Sequence, residues 1–137
     1  MVLAYDSSFN RDKNKGVKPM EQLKPRISVY YAQNATVVTL TDEKILDDDD
    51  IKALEESVMP LIDGSPVNLV IDFSNVQFLS SAVLGLLIRI SKKVNESRGR
   101  LKLCCINSKI FDIFRITRLD EIFEIYGDAK KALKSLK

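Results

Sequence analysis

Between the turn-forming Gly64-Ser-Pro66 and Ser74-Asn75, the chain reads Val67-Asn-Leu-Val-Ile-Asp72-Phe. A short, nearly continuous apolar run of this kind suits a strand buried on both faces. Such a strand needs a covering layer above and below, and the flanking sequence supplies candidates. Upstream, Asp47-Asp-Asp-Asp50 precedes Ile51, Leu54, Val58, Leu61 and Ile62, whose three- and four-residue steps draw one apolar stripe of a helix. Downstream, Ser80-Ser81 precedes Val83, Leu84, Leu87, Ile88 and Ile90, a second helix running to Lys92–Ser97. The rest follows the same rhythm. Ile27–Ala32 and Thr36–Leu40 are β-rich runs separated by Gln33-Asn34-Ala35, a hairpin by composition. After the turn Arg98-Gly99-Arg100 comes a strand over Leu101–Ile106, then a third helix capped by Asn107-Ser108, with Ile110, Phe111, Phe114 and Ile116 on its apolar side. Glu121–Tyr126 reads as a last strand, and Ala129–Leu136, after Gly127-Asp128, as a closing helix. Strands alternating with helices predict an α/β domain: a mixed, mainly parallel sheet of four to five strands with helices packed against it.

The 137 residues suffice for one domain. Residues 1–25 are polar, carry Pro19 and Pro25, and hold neither apolar period, so they read as a flexible N-terminal segment ahead of a domain over 26–137. Charge divides the same way. The whole chain is +2, but residues 1–26 contain six bases and three acids, leaving 15 bases against 16 acids in the remainder. The domain therefore has no basic excess to draw a nucleic acid, and direct nucleic-acid binding is not expected. The longest apolar run, Ala82–Ile88, is far short of the ~20 residues that span a bilayer. With no basic-then-apolar leader at Met1-Val-Leu-Ala-Tyr-Asp, the expected location is cytoplasmic, without membrane insertion.

Chemistry has little to work with. Histidine is absent, which removes Ser-His-Asp and Cys-His catalysis. There is no GxxxxGK[ST] loop and no paired set of catalytic carboxylates, and Asp72 at a strand end reads as a loop cap. The chain is accordingly read as non-enzymatic and without a cofactor. The four aspartates could suggest a divalent cation, but the glycine and closing glutamate of an EF-hand loop are missing, and N-capping accounts for them. Cys104 and Cys105 are adjacent in the expected strand, so their side chains should face opposite sides of the sheet. They read as buried reduced thiols and not as metal ligands.

The most informative stretch is Asp72-Phe-Ser-Asn-Val-Gln-Phe-Leu-Ser-Ser-Ala-Val-Leu-Gly85. It passes from the end of a buried strand through a short loop into a helix N-terminus, the place where open α/β sheets carry their ligands. A hydroxyl there can cap the helix, bind an anion or accept a phosphate. This stretch, together with Arg100-Leu-Lys-Leu-Cys, with Ile116-Thr-Arg-Leu119-Asp-Glu-Ile-Phe123-Glu-Ile-Tyr126 and with Asp128–Leu133, resembles the STAS domain of bacterial anti-sigma factor antagonists. The resemblance covers nearly all of residues 27–137 and rests on the order of the pieces.

What the resemblance implies is a STAS-like single domain acting as a partner switch. It would bind an anti-sigma factor that is also a serine/threonine kinase and thereby control transcription. In the family the kinase phosphorylates a hydroxyl at the start of the second helix within Asp-Ser-Ser/Thr-Gly-x-Gly, and the modified antagonist lets go. Aligned without gaps on Leu84-Gly85, that motif puts its aspartate on Ser80, its first serine on Ser81 and its acceptor on Ala82, which cannot take a phosphate. A shift of one residue would place Ser81 on the acceptor and lose the final glycine. Ser81 and Ser80 are thus the candidate phosphorylation sites, and Val76, Phe78, Leu79, Ser80, Ser81, Ala82 and Val83 the candidate partner-binding residues. On this reading Val83→Asp would abolish capture without disturbing the fold. At least one of Val83 and Leu84 is expected in the core. The chain is expected to be a monomer or weak dimer. The alternative within the same fold is a STAS subunit regulating a lipid-type ABC transporter ATPase.

Overall fold

The computed structural model describes residues 26–32, 35–62 and 66–136. The expected flexible segment 1–25, and the turn residues Gln33-Asn34 and Gly64-Ser65, lie outside the described residues. Strands β1 (Ile27–Ala32) and β2 (Ala35–Leu40) pair antiparallel, Ile27 opposite Leu40 and Ala32 opposite Ala35. A two-residue strand β3 (Lys44–Ile45) leads into α1 (Asp48–Val58). The buried run becomes β4 (Asn68–Asp72), followed by a second two-residue strand β5 (Phe78–Leu79) and by α2 (Ser81–Glu96). Then come β6 (Arg100–Cys104), α3 (Ser108–Ile116), β7 (Glu124–Tyr126) and α4 (Ala129–Lys134).

The main sheet has the order β1-β2-β4-β6-β7, parallel at every junction after the first. This order always advances in one direction, so right-handed crossovers lay each connecting helix on the same face. The packing agrees. Val38, Leu40, Leu69, Ile71, Phe73 and Leu103 form one core with Ile51 and Leu54 of α1, Val83, Leu87 and Ile90 of α2, and Ile110 and Phe114 of α3. Residues of opposite parity, Val37, Val70 and Cys104, form a smaller core with Ala132 of α4 and with Leu136. The β-pleat of β4 thus divides Leu69 and Ile71 from Val70, and both sets are buried, as its apolar run requires.

Local signals behave as their chemistry dictates. Asp47 caps α1, accepting from the Asp50 amide at 2.9 Å while Asp50 accepts back from Asp47. Arg26 adds a clamp, reaching Asp42 at 2.6 Å and Asp50 at 3.2 Å. Pro60 converts the end of the first helix to a 3₁₀ turn at Met59–Leu61. Boundaries and burial differ from the sequence expectation at several places. The strand expected over Leu101–Ile106 spans Arg100–Cys104, because Cys105 adopts a left-handed backbone, φ 64°. The strand expected from Glu121 begins at Glu124, since Leu119–Glu121 coils into a 3₁₀ turn that buries Leu119. The closing helix stops at Lys134. Ile116 is 80% exposed, because two steps beyond Phe114 on a 3.6-residue helix points away from the core. Ile88 is likewise outside the core, one position past Leu87 at the rim of the buried arc of α2.

Lys102 is 1% exposed, on the α4 side of the central sheet. Its ammonium pairs with Glu124 on the neighbouring strand, stands 5.9 Å from the Tyr126 ring centroid, and shares Glu124 with the Tyr126 hydroxyl, which donates at 2.9 Å. These bonds from Lys102 and then Tyr126 hold the Glu124 carboxyl below its ordinary value. A depressed carboxylate stabilises the fold above the ordinary glutamate range and loses that contribution as pH falls through the depressed value. Urea unfolding across the acid range should therefore show a steeper loss of stability in the native chain than in Glu124→Gln. At neutral pH the variant should be about 1 kcal/mol less stable, a modest figure because Glu124 itself is solvated.

Gly99 lies against β4's entry: a Cβ there would stand 1.8 Å from the Val67 carbonyl oxygen. Gly85, inside α2, would meet only the tip of Arg89 at 3.9 Å. Gly99→Ala should cost about 2 kcal/mol or more, while Gly85→Ala should gain about 0.5–1 kcal/mol by denaturant titration.

Candidate functional site

The C-terminal ends of β2 and β4 release two loops that each lead to a helix, and the structure ties these loops together. The backbone bonds run Gln77 N to Glu43 O at 2.8 Å, Phe78 N to Glu43 O at 3.1 Å and Ser80 N to Ile45 O at 3.0 Å. The result is the two-stranded parallel pair β3–β5, Lys44 beside Phe78 and Ile45 beside Leu79. Two-residue strands carry no period, and this pair arises from contacts more than thirty residues apart. The stretch expected as a short loop before α2 therefore contains β5 at Phe78–Leu79.

Side chains brace the same segment. Asp72 caps the loop, accepting from the Ser74 amide at 2.8 Å, as its position at a strand end suggested. Asn75 donates to the Leu40 carbonyl at 3.2 Å. Asn107 has two duties: its Oδ1 accepts from the Ile110 amide at 2.9 Å to cap α3, while its Nδ2 donates to the Val76 carbonyl at 3.3 Å. The loop before α2 is thereby pinned to β2, to β3 and to the start of α3.

Within this frame the seven candidate partner-binding residues divide into three buried, three exposed and the half-buried Ser80. Val76, Leu79 and Val83 are buried, Val83 completely, and belong to the main core together with Leu84. They fix the shape of the site and present no side-chain surface. Phe78 is 47% exposed, with the Lys44 ammonium 5.8 Å from its ring centroid, and Ser81 and Ala82 are exposed at the first turn of α2. Ser80 is the N-cap residue, with extended backbone (φ −87°, ψ 161°), yet its side chain makes no capping bond. Its Oγ is buried, and among the described residues it has no hydrogen-bond partner. The two serines are therefore not equivalent: Ser81 faces solvent, while the Ser80 oxygen is covered.

Continuing along α2, the outward face carries Gly85, Ile88 and Arg89. Arg89 forms a two-pronged pair with Glu55 of α1, at 3.1 and 3.3 Å. The start of α2 is thus a low floor of small residues (Ser81, Ala82, Gly85), with the partly exposed apolar side chains of Phe78 and Ile88 nearby in the chain. Ile88, assigned to the core from its spacing, belongs to this outward face.

Comparison with family models matches the STAS domain over residues 26–132. The chain belongs to the STAS domain family. Among curated relatives, the anti-sigma F factor antagonist of Paenibacillus polymyxa is 28% identical over 69 residues, which is 50% of this chain and 59% of that protein. The matched part of the chain thus spans little more than half of that relative's length. Among solved structures, an anti-sigma factor antagonist from Mycobacterium paratuberculosis is 27% identical, with a TM-score of 0.71 over 80% of this chain and 92% of that one. The anti-sigma-factor antagonist (STAS) domain protein of Planctomyces limnophilus superimposes equally well, TM-score 0.71 over 80% of this chain and 97% of that one, at 22% identity. This is an anti-sigma factor antagonist-like STAS domain, with the mixed, five-stranded sheet expected from the alternation of strands and helices.

No helix among the described residues is long and apolar enough to cross a membrane. The burial of Val83 corrects one expectation of the sequence reading directly. A carboxylate introduced there would enter the core instead of a docking face, so Val83→Asp should lower stability by about 3 kcal/mol or more, visible as a lost or early unfolding transition. Ser81→Asp, two residues earlier and on the exposed side of the first turn, should leave the transition within about 0.5 kcal/mol of the parent.

Proposed function

We propose that this STAS domain is a non-enzymatic docking protein, resident in the cytoplasm, that binds an anti-sigma factor of the serine/threonine-kinase type through the exposed start of α2. Freeing a sigma factor in this way controls transcription. The observation that carries the reading is the pre-formed platform at that helix start. Buried Val76, Leu79 and Val83 anchor it from beneath, and the backbone bonds from Glu43 and Ile45 fix the approach. Phe78, Ser81 and Ala82 remain outside for a partner to meet. The similarity to an anti-sigma F factor antagonist supplies the partner class.

Regulation follows from which hydroxyl is exposed. In the gapless register the family's acceptor position is Ala82, which has no oxygen to modify. Ser80 keeps its oxygen covered. Ser81 is the exposed hydroxyl of the pair, so any phosphate transferred here goes to Ser81, where a charge of about −1.5 to −2 at a helix N-terminus is compatible with the fold and hostile to an apolar contact. Left unmodified, the domain stays in its binding-competent form.

The test is affinity capture of the tagged full chain from lysate of its own organism, with bound proteins and the bait's intact mass read by mass spectrometry. Recovery of a kinase-type anti-sigma factor that is lost in Ala82→Glu, with circular dichroism unchanged, is the expected result. Capture of that partner undiminished by Ala82→Glu would remove the helix start from the interface. Recovery of an ABC-type ATPase in its place would move the domain to transporter regulation.

A further inference from the structure

At the other side of the same strand ends, the two cysteines depart from the geometry expected of neighbours in a strand. Successive strand side chains face opposite ways, yet Cys104 and Cys105 both pack into the small core beneath α4. The left-handed backbone at Cys105 is the cause, turning its side chain back to the side that Cys104 occupies. Asp72 is the register partner of Cys104 on β4. The Cys104 sulfur, the Cys105 sulfur and an Asp72 carboxylate oxygen all lie within 4.8 Å of one another. Cys104 is fully buried, while Asp72 and Cys105 are half-buried, so the cluster is closed from within and reachable from without.

We propose that Asp72, Cys104 and Cys105 form a binding site for a thiophilic divalent cation, of which Zn²⁺ and Cd²⁺ are the fitting examples. Two sulfurs held about 2.3 Å from a tetrahedral ion stand about 3.8 Å apart, so the observed cluster needs to close by no more than about an ångström. Asp72 uses Oδ1 for the Ser74 amide, which leaves Oδ2 for the ion. Two sulfurs and one oxygen make three protein ligands, and the half-exposed side admits water as the fourth. The donor set selects against Mg²⁺ and Ca²⁺, which want oxygens throughout. Burial first, then the neighbouring sulfur and Asp72, push the Cys104 thiol up, and burial pushes Cys105 up as well. Metal binding therefore starts from two thiols. On binding, two sulfur–metal bonds form, two S–H bonds break, and two protons leave to solvent with no change of oxidation state.

The sequence makes the test clean, because the chain contains no histidine and no other cysteine. The reduced full-length protein would be titrated with cadmium chloride, following the ultraviolet thiolate-to-cadmium band and the stoichiometry by native mass spectrometry. One cadmium per chain is expected, displaced by zinc, with the band retained and affinity lowered about tenfold or more in Asp72→Asn. Cys105→Ser, at a half-exposed position, should keep the circular-dichroism spectrum and weaken binding further. Cys104→Ala, which leaves no hydroxyl in the core, should weaken binding to the same degree. Absence of a thiolate band at millimolar cadmium, a band unaltered by Cys105→Ser, or one cadmium shared between two chains would each overturn the site.

Discussion

Everything in this domain hangs on β4. It is the central strand of the five, paired in parallel on both sides, to β2 through Leu69–Asp72 and to β6 along its full length. Its two faces are buried in two separate cores, with Leu69 and Ile71 under α1, α2 and α3 and with Val70 under α4. A strand so enclosed has no freedom of register, because a slip of one residue would exchange its two faces and displace Asn68 and Asp72 into the cores. The position of Asp72 is thus fixed by burial and not by its own chemistry. From that fixed point the chain enters the loop that sets the start of α2, and the same carboxylate lies beside the two cysteines.

The candidate surface inherits its rigidity from this arrangement. The loop over residues 73–80 is short; beside its local bonds at Ser74 and Val76, it is held by atoms from elsewhere in the chain: Leu40 and Glu43 from before α1, Ile45 from β3, and Asn107 from the cap of α3. A surface pre-ordered in this way loses little conformational entropy on docking. It also separates two functions that the sequence runs together. Val76, Leu79 and Val83 hold the platform in place from the inside, whereas Phe78, Ser81 and Ala82 are the exposed residues that the proposed docking would use.

Much of the fold was legible because each large element carries its own period or cap. The continuous run at Val67–Phe73, the stripe Ile51-Leu54-Val58 and the aspartates at the start of α1 each led to the element or feature observed. The strand pair β3–β5 was not legible, since two residues have no periodicity and the pairing is decided by tertiary contacts. The turn at Cys105 was missed for a related reason: nothing in Leu101–Ile106 forbids an extended backbone, and a left-handed cysteine is set by its surroundings. At the site, the location of the helix start was readable from Ser80-Ser81, but the outward or inward sense of each residue required the helix to be placed. Val83 falls on the phase of Leu87, Ile90 and Val94 and is buried. Ile88, one step beyond Leu87, is not.

The most direct test of the proposed docking is amide hydrogen exchange on the intact domain, with and without a purified anti-sigma factor of the proposed class. Protection confined to Phe78–Arg89, with α4 and β7 unchanged, is the pattern this account requires. Protection centred on α4 and the β7 edge, with the start of α2 exchanging as freely as before, would contradict it.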